Sequence, residues 1–209
     1  MRVLVFGATG RVGSEIVRQA SSRGHDVTIF VRHPKSLSAI LRPSEVICGD
    51  VRNTSTVTAA MISRPFDAVL SAIGAGKLEP STLVTDGTRS ILDAMQSTGV
   101  RRYLAVSGTA EMPSQTIVGR ITSAIFRCTP VGHAIRDHDG AYAIVSASDL
   151  NWTLAGCPYL RDGPANGDYK AVLTYPGGFK VIHPPDVANF MVGELLDRRF
   201  PRQIVGLWY

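Results

Sequence analysis

The sequence predicts an α/β protein built on a doubly wound parallel sheet, and three observations predict it. A run of β-formers, Val3 to Phe6, passes through a glycine-spaced turn into a segment whose apolar residues Val12, Ile16, Val17 and Ala20 recur at helical spacing. Short continuous apolar runs then alternate with helical patterns along the rest of the chain, as parallel βαβ units require. The glycine turn belongs to the first of these units, which puts a ligand-binding edge at the start of the fold.

The opening turn needs its residue types where they stand. Gly7 permits the tight turn off the strand, Gly10 lets backbone approach a ligand without a Cβ in the way, and Gly13 lets the helix pack close on the sheet. Unpaired N–H groups of the first helical turn, reinforced by the helix dipole, favour phosphate there. A dinucleotide site is therefore expected, with Gly7, Thr9, Gly10, Arg11, Val12 and Gly13 as its first contacts. Gly24 ends the helix, and Asp26 to Val31 reads as the second strand. In such folds an acidic residue at this strand end binds the adenosine ribose of NAD, whereas a basic one accommodates the 2′-phosphate of NADP. Here Arg32 stands at that end, and Lys35 and Arg11 add charge from the same side, so NADPH is the expected cofactor.

Glu45 to Gly49 forms a short third strand closed by Asp50 and Val51. Asp50 either accepts the adenine amino group or caps the helix that begins near Asn53, since both chemistries suit a carboxylate there. Thr54 to Ile62 is helical, and Asp67 to Ala72 is a fourth strand, continuous and apolar as buried parallel strands are. Ala72, Ile73 and Gly74 follow, with Ala75 and Gly76, and their small size lets cofactor lie against backbone. A helix from Ser81 to Thr98 stops at Gly99, and a fifth strand, Arg102 to Ser107, delivers Ser107 to the same sheet edge as a polar contact for nicotinamide or substrate.

Residues 110–132 are less regular and read as a substrate-side segment carrying a short helix, Ile117 to Phe126. The helix His133 to Ser148 places Ile135, His138, Tyr142 and Val145 on one face. His138 and Tyr142 are candidate acids on that face, or else ordinary core residues. Asn151 to Ala155 is a sixth strand, and Pro158 at its end is a further cofactor contact. Residues 159–183, rich in Gly, Pro and Asp, form a second substrate-side segment and a small C-terminal extension, with strand-like pieces at Ala171 to Thr174 and Phe179 to Ile182. A last helix, Pro185 to Arg198, and a final strand, Gln203 to Trp208, complete the chain.

Bulk properties narrow the function. A chain of 209 residues without repeat or linker is expected to be one domain, 1–209. It is 44% hydrophobic but has no run long enough to cross a membrane, and Val3 to Phe6 is too short for a signal peptide, so a cytoplasmic location is expected. The net charge of +5 comes from scattered residues, which argues against a nucleic-acid partner. Cys48, Cys128 and Cys157 lack the paired spacing of a zinc site and read as buried free thiols; no metal site is expected.

Phosphate loop first, then alternating elements, gives the strand order 3-2-1-4-5-6 with an added strand, the NAD(P)-binding Rossmann arrangement. Gly7 to Gly13, Gly49-Asp50-Val51, Thr98-Gly99-Val100-Arg101-Arg102-Tyr103 with Ser107, and Asp186-Val187-Ala188 together resemble the atypical short-chain dehydrogenase/reductase superfamily. The small size resembles the group that holds NADPH-dependent flavin reductases, biliverdin reductase B and NmrA-like proteins. That superfamily's usual proton donor is a Tyr followed four residues later by Lys, and none of the six tyrosines here has that partner; Tyr142 is followed by Ser146. The resemblance then implies an NADPH-dependent oxidoreductase passing hydride to a flat conjugated acceptor such as flavin or quinone, which can draw its proton from solvent. Its alternative is a non-catalytic NADP-sensing regulator of the NmrA-like type. The expected partner is a small-molecule acceptor, and the expected assembly a monomer or homodimer.

Overall fold

The computed structural model describes residues 1–34, 41, 43–74, 79–113 and 116–209. In chain order the elements are β1 (Arg2–Phe6), α1 (Arg11–Ser22), β2 (Asp26–Val31), β3 (Glu45–Cys48), α2 (Thr54–Ile62), β4 (Ala68–Ser71), α3 (Leu83–Thr98) and β5 (Arg102–Gly108). Then follow α4 (Ile117–Arg127), α5 (Val131–Ala147), β6 (Asn151–Cys157), β7 (Tyr159–Leu160), β8 (Lys170–Val172), β9 (Val181–Ile182), α6 (Pro184–Asp197) and β10 (Gln203–Trp208).

An eight-stranded sheet runs in the order β3-β2-β1-β4-β5-β6-β10-β8. Its strands are parallel except β8, which pairs antiparallel to β10. Successive side chains of a strand point to opposite faces, so β1 feeds two cores. Val3 and Val5 pack with Ile16 and Val17 of α1 and Val187 and Met191 of α6, whereas Leu4 and Phe6 pack with Val57 of α2 and Ile91 and Met95 of α3. Helices therefore cover both faces, which is why the central strands read as unbroken apolar runs. The six-strand order is as the sequence predicts, and β10 and β8 extend it at one edge.

Buried polar groups fix the helices in place. Asp137 of α5 caps α3 from a neighbouring helix, accepting the N–H groups of Val84 at 3.0 Å and Thr85 at 2.8 Å. Asp186 in the first turn of α6 accepts the N–H groups of Asn166 and Gly167, both at 2.9 Å, and a very short bond from the Tyr209 hydroxyl. That carboxylate ties the 159–183 segment to the last helix.

Local differences from the sequence reading have simple causes. The strand-like pieces of the extension are shorter than expected, Lys170–Val172 and Val181–Ile182; the second pairs with Tyr159–Leu160 in a separate two-stranded sheet. The long helix starts at Val131, so it takes up the end of the 110–132 segment. Among the cysteines only Cys157 is buried, whereas Cys48 and Cys128 are exposed, which corrects the expectation of three buried thiols. No described helix is long and apolar enough to cross a membrane.

Candidate functional site

The glycine loop is built by contact rather than by composition. Gly7 has φ +75, and a Cβ there would lie 2.4 Å from the carbonyl oxygen of Ala72, so the loop presses against the end of β4. A Cβ at Gly13 would stand 2.0 Å from the Gly7 oxygen, so only glycine lets α1 seat on the loop. Gly10 donates its N–H to the Gly7 oxygen at 3.0 Å and begins α1 without a side-chain cap. The first-turn amides of α1 are left for a ligand.

A cleft of about 150 Å³ opens beside this loop. Gly7, Thr9 and Gly10 form one wall, and Arg32, Val51 and the run Ala72, Ile73 and Gly74 the others. Val12 and Gly13 lie buried beneath the loop and support it. Phe30 also lines the cleft; a Cβ at Gly49 would meet its ring at 2.3 Å, which explains a glycine at that strand end. Lys35, Ala75 and Gly76 lie outside the described residues.

Two expected contacts have other partners. Asp50 is held by Arg52, with Nη2 to Oδ2 at 2.8 Å, Nε to Oδ1 at 3.2 Å and the backbone N–H to Oδ1 at 2.9 Å. Those bonds, with a further pull from the Arg32 charge, lower its carboxyl to about 2. The cap of α2 is Asn53, which accepts the N–H of Ser55 at 3.1 Å, so the capping reading of Asp50 is corrected. Arg11 turns to the extension, donating to the Leu160 oxygen at 3.1 Å and Asp162 Oδ1 at 3.2 Å. It bridges the loop to the extension rather than lining the cleft.

A second cleft, of about 290 Å³, lies at the carboxyl ends of β5 and β6 between the 110–132 and 159–183 segments. Its walls are largely apolar and carry four aromatic rings, Phe126, Tyr159, Tyr175 and Phe179. Ser107, His138 and Pro158 all reach this lining. Burial lowers the pKa of the His138 imidazole. Tyr142 lines not this cleft but a small cavity of about 10 Å³ that it shares with Ser107 and His138, its ring edge-on to Trp152 at 6.4 Å.

The residue that sequence reasoning missed is Glu111. Its side chain is only 5% exposed and lines the second cleft, with Oε2 3.4 Å from the Ser107 hydroxyl. Among the described residues its Oε1 has no hydrogen-bond partner. Burial first, then the negative charge of Asp139, pushes the carboxyl up to about 7. Gly108 makes room for it, since a Cβ there would lie 2.6 Å from Oε2. One signal was present: Glu111 is the only charged residue between Arg102 and Arg120.

The cleft beside a glycine loop that a Cβ would block is the cradle a pyrophosphate needs. A family model described as NAD(P)H-binding matches residues 7–198. The chain belongs to that NAD(P)H-binding family. A Streptomyces relative named 3-diazoavenalumate denitrifying reductase is 28% identical over 162 residues, which is 73% of this chain and 47% of that protein. The chain spans about half the length or less of the first curated relatives it matches, 49%, 47% and 36%. Two solved structures share the fold of the family. A wide-type short-chain dehydrogenase/reductase from Veillonella parvula, in complex with NADP, superposes with a TM-score of 0.78 at 18% identity, over 100% of this chain and 94% of that one. A candidate NADH-flavin reductase from Streptococcus pneumoniae gives 0.81 at 22%, over 100% and 99%.

Proposed function

We propose that this member of the family is an NADPH-dependent reductase that passes hydride to a flat conjugated acceptor such as a flavin or quinone. The observation that carries the reading is the aromatic-lined cleft of about 290 Å³ next to the dinucleotide cleft. The first cleft spans the ends of β1, β2 and β4 and the second those of β5 and β6, so the sheet order sets them side by side along one edge. Arg32 at the end of β2, with no acidic residue there, favours NADPH over NADH.

Bound NADPH supplies the hydride. The chain supplies position: the Gly7 to Gly13 loop holds the pyrophosphate, Ala72 to Gly74 offer backbone along the cofactor, and Arg32 meets the 2′-phosphate. Tyr159 and Phe179, whose ring centroids are 5.6 Å apart, line the cleft and offer an acceptor ring something to stack on. The missing Tyr-x-x-x-Lys pair argues against carbonyl reduction of the usual kind. It also feeds the rival reading, an NADP sensor of the NmrA-like type.

NADPH oxidation followed by absorbance with FMN, quinones and dicarbonyls tests the proposal. Turnover with a ring acceptor supports it. No oxidation above the blank with any of them, together with tight NADPH binding, removes it in favour of the sensor.

A further inference from the structure

We propose that Glu111 is the proton store of the acceptor cleft: a neutral carboxylic acid that passes its proton through the Ser107 hydroxyl to the acceptor as hydride arrives. The inference rests on the reductase reading and adds the source of the proton, which the absent Tyr-x-x-x-Lys pair leaves open.

Three observations carry it. The carboxyl is buried, lines the apolar cleft and has one oxygen without a partner among the described residues; backbone hydrogen bonds of Gly108 and Glu111 favour the anion, but burial outweighs them and favours the neutral acid. Ser107, also buried, lies at the end of β5 itself, with Oγ 3.4 Å from Oε2. That is long for such a bond, and catalytic hydrogen bonds of this kind tighten when substrate is in place. Among the ionisable groups around the cleft, Glu111 is bonded to the Ser107 hydroxyl. Burial lowers the pKa of His138, Cys157 is pushed up to about 12, and Arg127 is engaged by Asp139 with Nη2 to Oδ1 at 2.9 Å. Tyr175 donates its hydroxyl to the Gly178 oxygen at 2.7 Å, and Lys180 lines the cleft from the extension. A carboxyl at about 7 is half protonated at neutral pH and matches the pKa a general acid needs.

The step balances. As the acceptor gains hydride, the Ser107 O–H bond breaks and an acceptor O–H or N–H bond forms; the Glu111 O–H bond breaks and the serine hydroxyl re-forms. NADPH is oxidised by two electrons, the acceptor is reduced by two, and Glu111 is left as carboxylate. Solvent returns its proton after product leaves. The sum is acceptor, NADPH and one proton giving reduced acceptor and NADP⁺.

The test compares wild type, Glu111→Gln and Ser107→Ala. Infrared titration of the nucleotide-free protein reads the carboxylic-acid carbonyl band directly. The band is expected to persist to about 7 in wild type and to be missing in Glu111→Gln. Turnover with a quinone is expected to fall above that pH in wild type, and to drop about 100-fold and lose this limb in Glu111→Gln, with NADPH binding unchanged. Ser107→Ala is expected to act on the same limb, and the double variant to be no worse than either single one. A Glu111 carboxyl already ionised well below 7 overturns the inference whatever the turnover. So does wild-type turnover with the same pH profile in Glu111→Gln, which leaves the reductase reading intact. Absence of wild-type turnover removes the reductase reading itself, and the proton route with it. Should Glu111→Gln fail to fold, Ser107→Ala and the wild-type infrared titration decide the question by the same criteria.

Discussion

Replacing Glu111 by Gln should change how folding stability depends on pH, with no cofactor or acceptor present. The carboxyl rises from an ordinary 4.5 to about 7 in the folded protein. A shift of about 2.5 units corresponds to about 3 kcal/mol at ~1.36 kcal/mol per unit. The sign follows from proton counting. Between 4.5 and about 7 the folded state holds the proton that the unfolded state has released, so stability falls as pH rises. Below 4.5 both states are protonated and nothing is lost; above about 7 both are ionised and the loss is complete. Gln has nearly the same shape and no titration. Urea unfolding of both proteins across this range should therefore show Glu111→Gln gaining on wild type by up to about 3 kcal/mol from the acid to the alkaline end. The other titrating groups are common to both chains and cancel in the difference. A wild-type to variant gap that stays constant with pH would refute the reasoning, because it would mean the carboxyl ionises equally easily folded and unfolded.

Arg32→Asp should weaken NADPH binding by about 2–3 kcal/mol through loss of a charge-assisted pair, and weaken NADH binding much less. Fluorescence titration checks this, and an unchanged NADPH curve puts the 2′-phosphate elsewhere. Gly13→Ala forces a Cβ to within 2.0 Å of the Gly7 oxygen, so either the loop or α1 must move. A stability loss of about 1–3 kcal/mol and at least a tenfold loss of NADPH affinity are expected, read by thermal melting and titration. Phe179→Ala removes a ring that is 71% exposed in the free protein, so stability should hardly change. Loss of its stacking, worth about 1 kcal/mol, should raise the KM for a ring acceptor about fivefold and leave that for NADPH alone.

The parts of this molecule legible in the sequence are those set by local rules. Gly13 is demanded by a backbone contact within one βα unit and Gly7 by its positive φ as well as by the end of β4, and their spacing alone announces them. The strand order followed from alternation and from the limited ways parallel strands connect. What escaped depended on contacts between distant segments. Arg11 carries the right charge beside the phosphate loop, and its Nη1 also pairs with Asp162 of the extension, a contact no spacing rule announces. Helical spacing correctly put His138 and Tyr142 on one side of α5, but not which neighbour each would meet; Trp152 on β6 takes the tyrosine ring. Glu111 was hidden for the same reason. A turn at Thr109 to Met112, closed by the Met112 N–H on the Thr109 oxygen at 3.3 Å, folds an ordinary-looking surface acid back over the end of β5.

The energetics of that acid bear on the choice between reductase and sensor. At and above neutral pH a buried carboxyl on this scale costs stability that Gln or Met of similar volume would not, and a site that only recognises NADP gains nothing from the cost. Nor does Glu111 line the dinucleotide cleft, where a sensor would need its polar groups. It lies instead in the neighbouring aromatic cleft, against a serine hydroxyl, where the proposed reduction would need a proton. Stability given up at one such point is characteristic of a site arranged for chemistry rather than for binding alone. The sensor reading leaves this carboxyl without a task, whereas proton-coupled reduction gives it one.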